Sequence, residues 1–268
     1  MSQPSSDRVN VSNDGTVLRI VFDRPERKNA LDPSAIASVI AALEDAAVTD
    51  SLRVIVLQSS GGDFCSGADW VATNRADDVR PRTGAIQRRT PVQAHRLIEL
   101  IAEVQLPVVC AVRGWAAGIG CQIALAADFT IATESSCFWE PFLERGFTPD
   151  SGATWFLPRL VGVARAKELL MLGRKVTGFE AADWGMIYRA VPEEDFEGAV
   201  DELVTRLQAA PTVALGLTKR CIHRALNLSL VDAMEAEASA LELSSRSPDF
   251  KEGLVAFREK RPPRFQGR

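Results

Sequence analysis

The chain has 268 residues, 46% hydrophobic and 25% charged, the composition of a globular protein long enough for one large core. Its 31 lysines and arginines against 35 aspartates and glutamates leave a net charge of −4, too few cations for a general nucleic-acid binder, which works by displacing counterions. No apolar run reaches membrane-span length and the opening MSQPSSDRVNVSNDG lacks the basic and apolar regions of a secretory leader, so a cytoplasmic enzyme without a membrane partner is expected.

Four short runs rich in apolar and β-branched residues read as strands: 16–22 (TVLRIVF), 54–58 (VIVLQ), 107–112 (PVVCAV) and 129–132 (FTIA). Helical patterns separate them. The stretch 33–45 starts behind Asp32, a natural N-cap with Pro33 at the first helical position, and puts Ile36, Val39, Ile40 and Leu43 on one face. The stretch 95–104 repeats the scheme with Leu97, Ile98, Leu100 and Ile101. Strands separated by helices pair in parallel through crossovers, which makes the fold α/β. Residues 72–90 break both periodicities and carry Arg75, Arg80, Arg82, Arg88 and Arg89, a connection long enough to be functional or mobile. After residue 196 the pattern turns helical over 196–209, 212–226, 230–243 and 249–259. The chain therefore divides into a core, 1–210, and a helical C-terminal region, 211–268. The apolar stripe Val213, Leu217, Ile222 and Leu226 of that region needs a surface to cover it, its own core or a neighbouring subunit.

The five cysteines, Cys65, Cys110, Cys121, Cys137 and Cys221, are odd in number and form no CxxC pair, so neither a disulfide framework nor a structural zinc site is expected. The two histidines, His95 and His223, have no carboxylate at metal-ligand spacing, and no metal is assigned. Two glycine-bearing turns carry more information. Gly61 to Asp69 follows the second strand, and Arg113 to Gln122 follows the third and opens an apolar helix. Both are read as strand-to-helix junctions, where unpaired peptide N–H groups and the positive end of a helix dipole converge and a pair of donors can hold an oxyanion. The same glycines also suit turns that need them only for steric reasons. Neither turn matches a phosphate-binding loop or a dinucleotide fingerprint.

Taken in order, the segments 24–31 (RPERKNAL), 64–69 (FCSGAD), 107–120, 157–162 (LPRLVG) and 257–263 (FREKRPP) resemble the crotonase superfamily, the enoyl-CoA hydratase/isomerase family, along essentially the whole chain. The resemblance implies a spiral of ββα units with a helical C-terminal oligomerisation region. It also implies assembly as a homotrimer or dimer of trimers, and an acyl-CoA thioester as substrate, its coenzyme A being the only cofactor in play. It implies that the thioester carbonyl sits between the backbone N–H groups of Ala68 and Ile119; relatives usually carry glycine at the second place, so Ile119 should narrow the pocket. Coenzyme A contacts implied by position are Arg27, Lys28, Ala30, Ser66, Asp69, Phe257 and Lys260. Lys28 and Lys260 also suit a solvated surface.

Family hydratases hold a water between two glutamates, and the matching positions here are Gln122 and Phe142. Glutamine cannot exchange a proton near neutral pH and phenylalanine can neither exchange one nor hydrogen-bond. One carboxylate stays in register: Asp150, in Pro149-Asp150-Ser151-Gly152, resembles the catalytic aspartate of epoxyphenylacetyl-CoA and dienoyl-CoA isomerases and the nucleophilic aspartate of chlorobenzoyl-CoA dehalogenases. Phe138, Trp139, Phe142, Phe147 and Trp155 flank it in sequence and should raise its pKa by desolvation. Asp150 also has the chemistry of a helix cap. Glu140 and Glu144 are expected to face solvent. His95 matches the water-activating histidine of the dehalogenases in position, though a histidine opening an amphipathic helix also serves packing. The expected activity is double-bond or ring isomerisation through a stabilised enolate with Asp150 as acid–base. The alternatives are an atypical hydratase aided by His95, an aspartate-nucleophile hydrolase or dehalogenase, and a non-catalytic acyl-CoA-binding module.

Overall fold

The computed structural model describes residues 8–69 and 82–268, so part of the irregular 72–90 connection lies outside the described residues. The larger of two sheets runs in the order β1 (Val9–Asn13), β2 (Val17–Phe22), β3 (Val54–Ser59), β4 (Val108–Val112), β6 (Phe129–Thr133), β9 (Arg189–Val191). The β1–β2 pair is antiparallel and every other pair parallel. Its smaller companion is β5 (Trp115–Ala117), β7 (Cys137–Trp139) and β8 (Val176–Thr177). Isolated parallel bridges Leu31↔Ala68 and Cys65↔Ala116 continue this second layer toward the start of the chain. Each turn of the chain gives a strand to the large sheet, a strand or bridge to the small one, and then a helix. This is the expected spiral of ββα units.

The helices are α1 (Pro33–Ala47), α2 (Ala85–Arg89), α3 (Ala94–Glu103), α4 (Ile119–Ala126), α5 (Ala153–Leu172), α6 (Gly178–Asp183), α7 (Phe196–Gln208), α8 (Thr212–Ala225), α9 (Leu230–Ser244) and α10 (Pro248–Glu259). Helix α1 begins as its sequence directs: the Asp32 carboxylate accepts from the Ala35 N–H at 2.8 Å and Pro33 occupies the first turn. Ile36, Val39 and Leu43 are buried and Ile40 packs beside them. Strand β3 buries both faces. Ile55 and Leu57 join the main core under α1, α3 and α4, whereas Val54 and Val56 meet Phe196, Val200, Leu203 and Val204 of α7. That two-sided burial is why the run is continuously apolar instead of alternating. Each leucine or isoleucine so buried contributes roughly 1.5–3 kcal/mol.

The C-terminal helices attach to this core through polar anchors. Lys219 of α8 donates to Asp128 at 2.7 Å and to the Ile101 carbonyl at 3.1 Å, and Arg53 donates to the Thr212 hydroxyl and the Phe265 carbonyl. Much of their apolar surface is left open in one copy of the chain. Leu230 is 75% exposed, Val231 68% and Phe257 85%, and Ile222 and Leu226 of the expected stripe are exposed as well. An uncovered apolar face of this extent marks an interaction surface. Sedimentation velocity at micromolar concentration should therefore show a species heavier than the monomer, and replacing Leu230 and Val231 together by serine should shift it toward the monomer.

Candidate active site

The two glycine turns come together because of two details of backbone geometry. In the parallel bridge to Leu31, the Leu31 N–H donates to the Gly67 carbonyl at 2.9 Å and the Leu31 carbonyl accepts from Asp69 at 2.8 Å. A residue so bridged turns its own N–H away from its partner, and no protein acceptor takes the Ala68 amide. Opposite it, Gly118 adopts φ 53°, ψ −125°, a conformation a residue with a side chain resists. Its N–H donates to the Trp139 carbonyl at 2.9 Å, and α4 starts at the next residue with the Ile119 amide among the unpaired first-turn donors. A Cβ on Gly118 would lie 4.0 Å from the Gly67 Cα, so the two donor turns pass within van der Waals contact. Helix α4 approaches this closely only because residue 120 is glycine: a Cβ there would sit 2.5 Å from the Cys65 carbonyl oxygen. The first turn differs from expectation in one respect. Cys65 and Ala68 make bridges and no helix follows within the described residues, so its donor is freed by bridge geometry and not by a helix terminus.

A cleft of about 50 Å³ lies where these turns meet, lined by Gly67, Ala68, Gly118, Ile119, Phe142, Arg145, Phe147, Asp150 and Ser151 among others. Ala68, Ile119, Phe142 and Asp150 are thus brought together, and Ile119 narrows the space as its side chain implied. Beside it a wider groove of about 610 Å³ is lined by Arg27, Ala30, Ser66, Ala68, Asp69, Arg145 and Phe147. Asp69 is held by Arg24 at 2.8 Å. Lys28 does not line the groove; it stands 3.6 Å from Asp63 and over the Trp115 ring. Phe257 and Lys260, at the end of α10, line neither space in this chain.

Burial pushes the Asp150 carboxyl above the ordinary aspartate value, opposed by the Ser151 hydroxyl and by His95. Of the aromatics flanking it in sequence, Phe142 and Phe147 share the cleft and meet edge to face. Phe138 belongs to the main core, Trp139 packs on Trp115, and Trp155 packs on Phe156. Helix α5 begins at Ala153 behind Gly152 with no side-chain cap, so Asp150 is not the capping residue its setting in sequence allowed. His95 is exposed on the first turn of α3 and does not line the cleft, although it is near enough for its charge to favour the Asp150 anion.

Glu140 departs most from expectation. It is buried, not solvent-facing, at 2% exposure, and its Oε1 accepts from Gln122 Nε2 at 2.8 Å. Burial drives its pKa well above the usual glutamate range, and the nearby Asp150 adds to the rise while the Cys121 thiol opposes it. Three side-chain atoms here, Gln122 Oε1, Glu140 Oε2 and Ser151 Oγ, are buried without hydrogen-bond partners. Glu144 is exposed as expected. Arg145 was not singled out from sequence either; the turn Leu143–Arg145 carries it to the seam between cleft and groove. Among the described residues no group of histidine, cysteine and carboxylate side chains is arranged to hold a metal ion.

This fold and paired-donor cleft define a member of the enoyl-CoA hydratase/isomerase family, to which the chain belongs: the family's sequence model matches residues 12–268. The chain is 39% identical over 249 residues to the "Probable enoyl-CoA hydratase" of Rhodobacter capsulatus, covering 93% of this chain and 94% of that one. It is 35% identical over 254 residues to the 1,2-epoxyphenylacetyl-CoA isomerase of Escherichia coli K12, covering 94% and 95%. The crystal structure of an enoyl-CoA hydratase from Bacillus anthracis superposes with a TM-score of 0.89 at 29% identity, over 97% of this chain and 100% of that one.

Packing at Gly120 provides a direct check on how the donors are placed. Gly120→Ala should lower stability by about 1–3 kcal/mol through overpacking against Cys65. Gly198→Ala, in α7 with nothing within 4 Å of the added Cβ, should instead raise it by about 0.5–1 kcal/mol. Urea unfolding of both variants measures the contrast.

Proposed function

We propose that the protein isomerises an acyl-CoA thioester, moving a double bond or opening a strained ring through an enolate, with Asp150 as the single acid–base. The observation that carries this reading is the one small cleft holding the Ala68 and Ile119 donor turns together with Asp150, while the two positions where family hydratases keep glutamates hold Gln122 and Phe142. The thioester oxygen sits between the two amides, which favour the negative charge that develops on it when the α proton leaves. Asp150 takes that proton and returns it at the γ carbon, so the double bond moves into conjugation with no water consumed and no net change in protons. Phe142 and Phe147 exclude water from the carboxylate and raise its basicity. The wider groove with Arg27, Ala30, Ser66 and Asp69 takes the coenzyme A moiety, and Phe257 and Lys260 reach a nucleotide only from a neighbouring copy of a homotrimer or dimer of trimers. No cofactor beyond that coenzyme A enters the reading.

Asp150→Asn should reduce isomerisation of trans-3-hexenoyl-CoA by about a hundredfold to ten-thousandfold with binding retained. The base works ionised and its pKa is raised, so wild-type kcat should fall as pH drops through a value above the ordinary aspartate pKa of about 3.9. An Asn variant with undiminished turnover, or an ester on Asp150 trapped by mass spectrometry, would replace this mechanism with another. Conversely, Gln122→Glu with Phe142→Glu should introduce hydration of crotonyl-CoA, read as loss of enoyl absorbance, because the missing water-holding pair is restored on an intact donor scaffold. Ile119→Pro removes one donor and should abolish turnover.

A further inference from the structure

The buried Glu140–Gln122 pair has no part in the proton transfer described above, yet it joins the two halves of the site. Trp139 and Glu140 are consecutive, and each holds one point on the start of α4. The Trp139 carbonyl accepts from the Gly118 N–H at 2.9 Å, and Glu140 Oε1 accepts from Gln122 Nε2 at 2.8 Å. Gln122 in turn donates its own N–H to the Gly118 carbonyl at 3.1 Å. The Ile119 amide lies inside this small loop of bonds. On its other side Glu140 runs directly into Pro141 and Phe142, which line the cleft with Asp150.

The hydrogen-bond inventory of the pair also specifies its charge. Glu140 Oε2 and Gln122 Oε1 are both buried without partners, and both are acceptors if the carboxyl is ionised. One proton on Oε2 supplies the donor that this arrangement lacks. No lysine or arginine among the described residues faces Glu140; the titratable groups near it are the Cys121 thiol on α4 and the Asp150 carboxyl. A buried carboxylate with an anion for a neighbour and no cation is strongly disfavoured.

We propose that Glu140 is a positioning residue: as a neutral acid hydrogen-bonded to Gln122 it ties the end of β7 to the first turn of α4 and so holds the Ile119 amide in register with Asp150. Its proton leaves Asp150 as the one negative charge beside the cleft. The catalytic part of the proposal rests on the reading of Asp150 as the base; the structural part does not. Glutamine at 140 keeps a donor and an acceptor facing Gln122, whereas leucine strands the amide.

Three measurements test it. Infrared difference spectra of wild type minus Glu140→Gln at neutral pH should show a protonated-carboxyl stretch; a carboxylate signature in its place overturns the proposal whatever reaction the protein performs. Hydrogen–deuterium exchange of the peptide spanning 118–122 should accelerate in Glu140→Leu and stay wild-type in Glu140→Gln; unchanged exchange in the leucine variant overturns the tie. In deuterated solvent, α-proton exchange of bound butyryl-CoA should slow by about tenfold to a hundredfold in Glu140→Leu, with butyryl-CoA affinity held and the rate restored in Glu140→Gln. Full exchange in the leucine variant, or a loss confined to affinity, removes the positioning role. If wild type itself exchanges no α proton, the reading of Asp150 fails, while the first two measurements still decide whether Glu140 is a neutral tie.

Discussion

The site depends on one constraint: two backbone N–H groups must be left unpaired at the same point inside a folded chain. Nearly all buried amides find an acceptor, so leaving two exposed to a cleft requires the surrounding backbone to be committed elsewhere. The protein achieves this differently on each side. At Ala68 the parallel bridge to Leu31 uses residues 67 and 69 and turns the intervening amide outward. At Ile119 the start of a helix leaves the donor free, and Gly118 sets the angle of entry. Cys65 and Gly120 then bring the halves into contact, since the space for any side chain at 120 is already filled by Cys65.

Around these donors the electrostatics are arranged by burial more than by ion pairs. Asp150 and Glu140 are both desolvated, but to different degrees. Asp150 borders the cleft and has His95 and Ser151 to favour its anion; Glu140 is enclosed with only an amide and a thiol against it. Two carboxyl groups in unequal surroundings separate in pKa, which divides the roles of proton acceptor and neutral hydrogen-bonding acid between them. The cations stay outside this region. Arg27 and Arg145 line the outer groove, where a phosphorylated carrier is matched by positive charge even on a protein of net negative charge.

Much of the architecture was legible along the chain because it depends on local periodicity. The Asp32–Pro33 start of α1, the apolar stripes of α1 and α3, the two-sided strands β3 and β4 and the change to helices after residue 196 all appear where the patterns put them. The donor pair and Asp150 were legible through the order and spacing of several short motifs, none of which is distinctive alone. Glu140 was misread for a physical reason. An isolated glutamate between a tryptophan and a proline has the composition of an exposed turn, and nothing local reveals that a glutamine eighteen positions earlier will enclose it. Arg145 was missed in the same way, as a charge in a short polar turn.

Sequence by itself determined the strand and helix inventory, the family, and the absence of both hydratase glutamates at positions 122 and 142, because each is a property of residue type and spacing. Tertiary structure decided which amides stay unpaired, which aromatics reach Asp150, that Glu140 is buried against Gln122, and that Phe257 and Lys260 stand apart from the groove of their own chain. These are properties of distance and solvent exclusion between residues far apart in the chain. A carboxyl group's pKa and an amide's partner depend on what surrounds them, and the surroundings exist only once the spiral has closed.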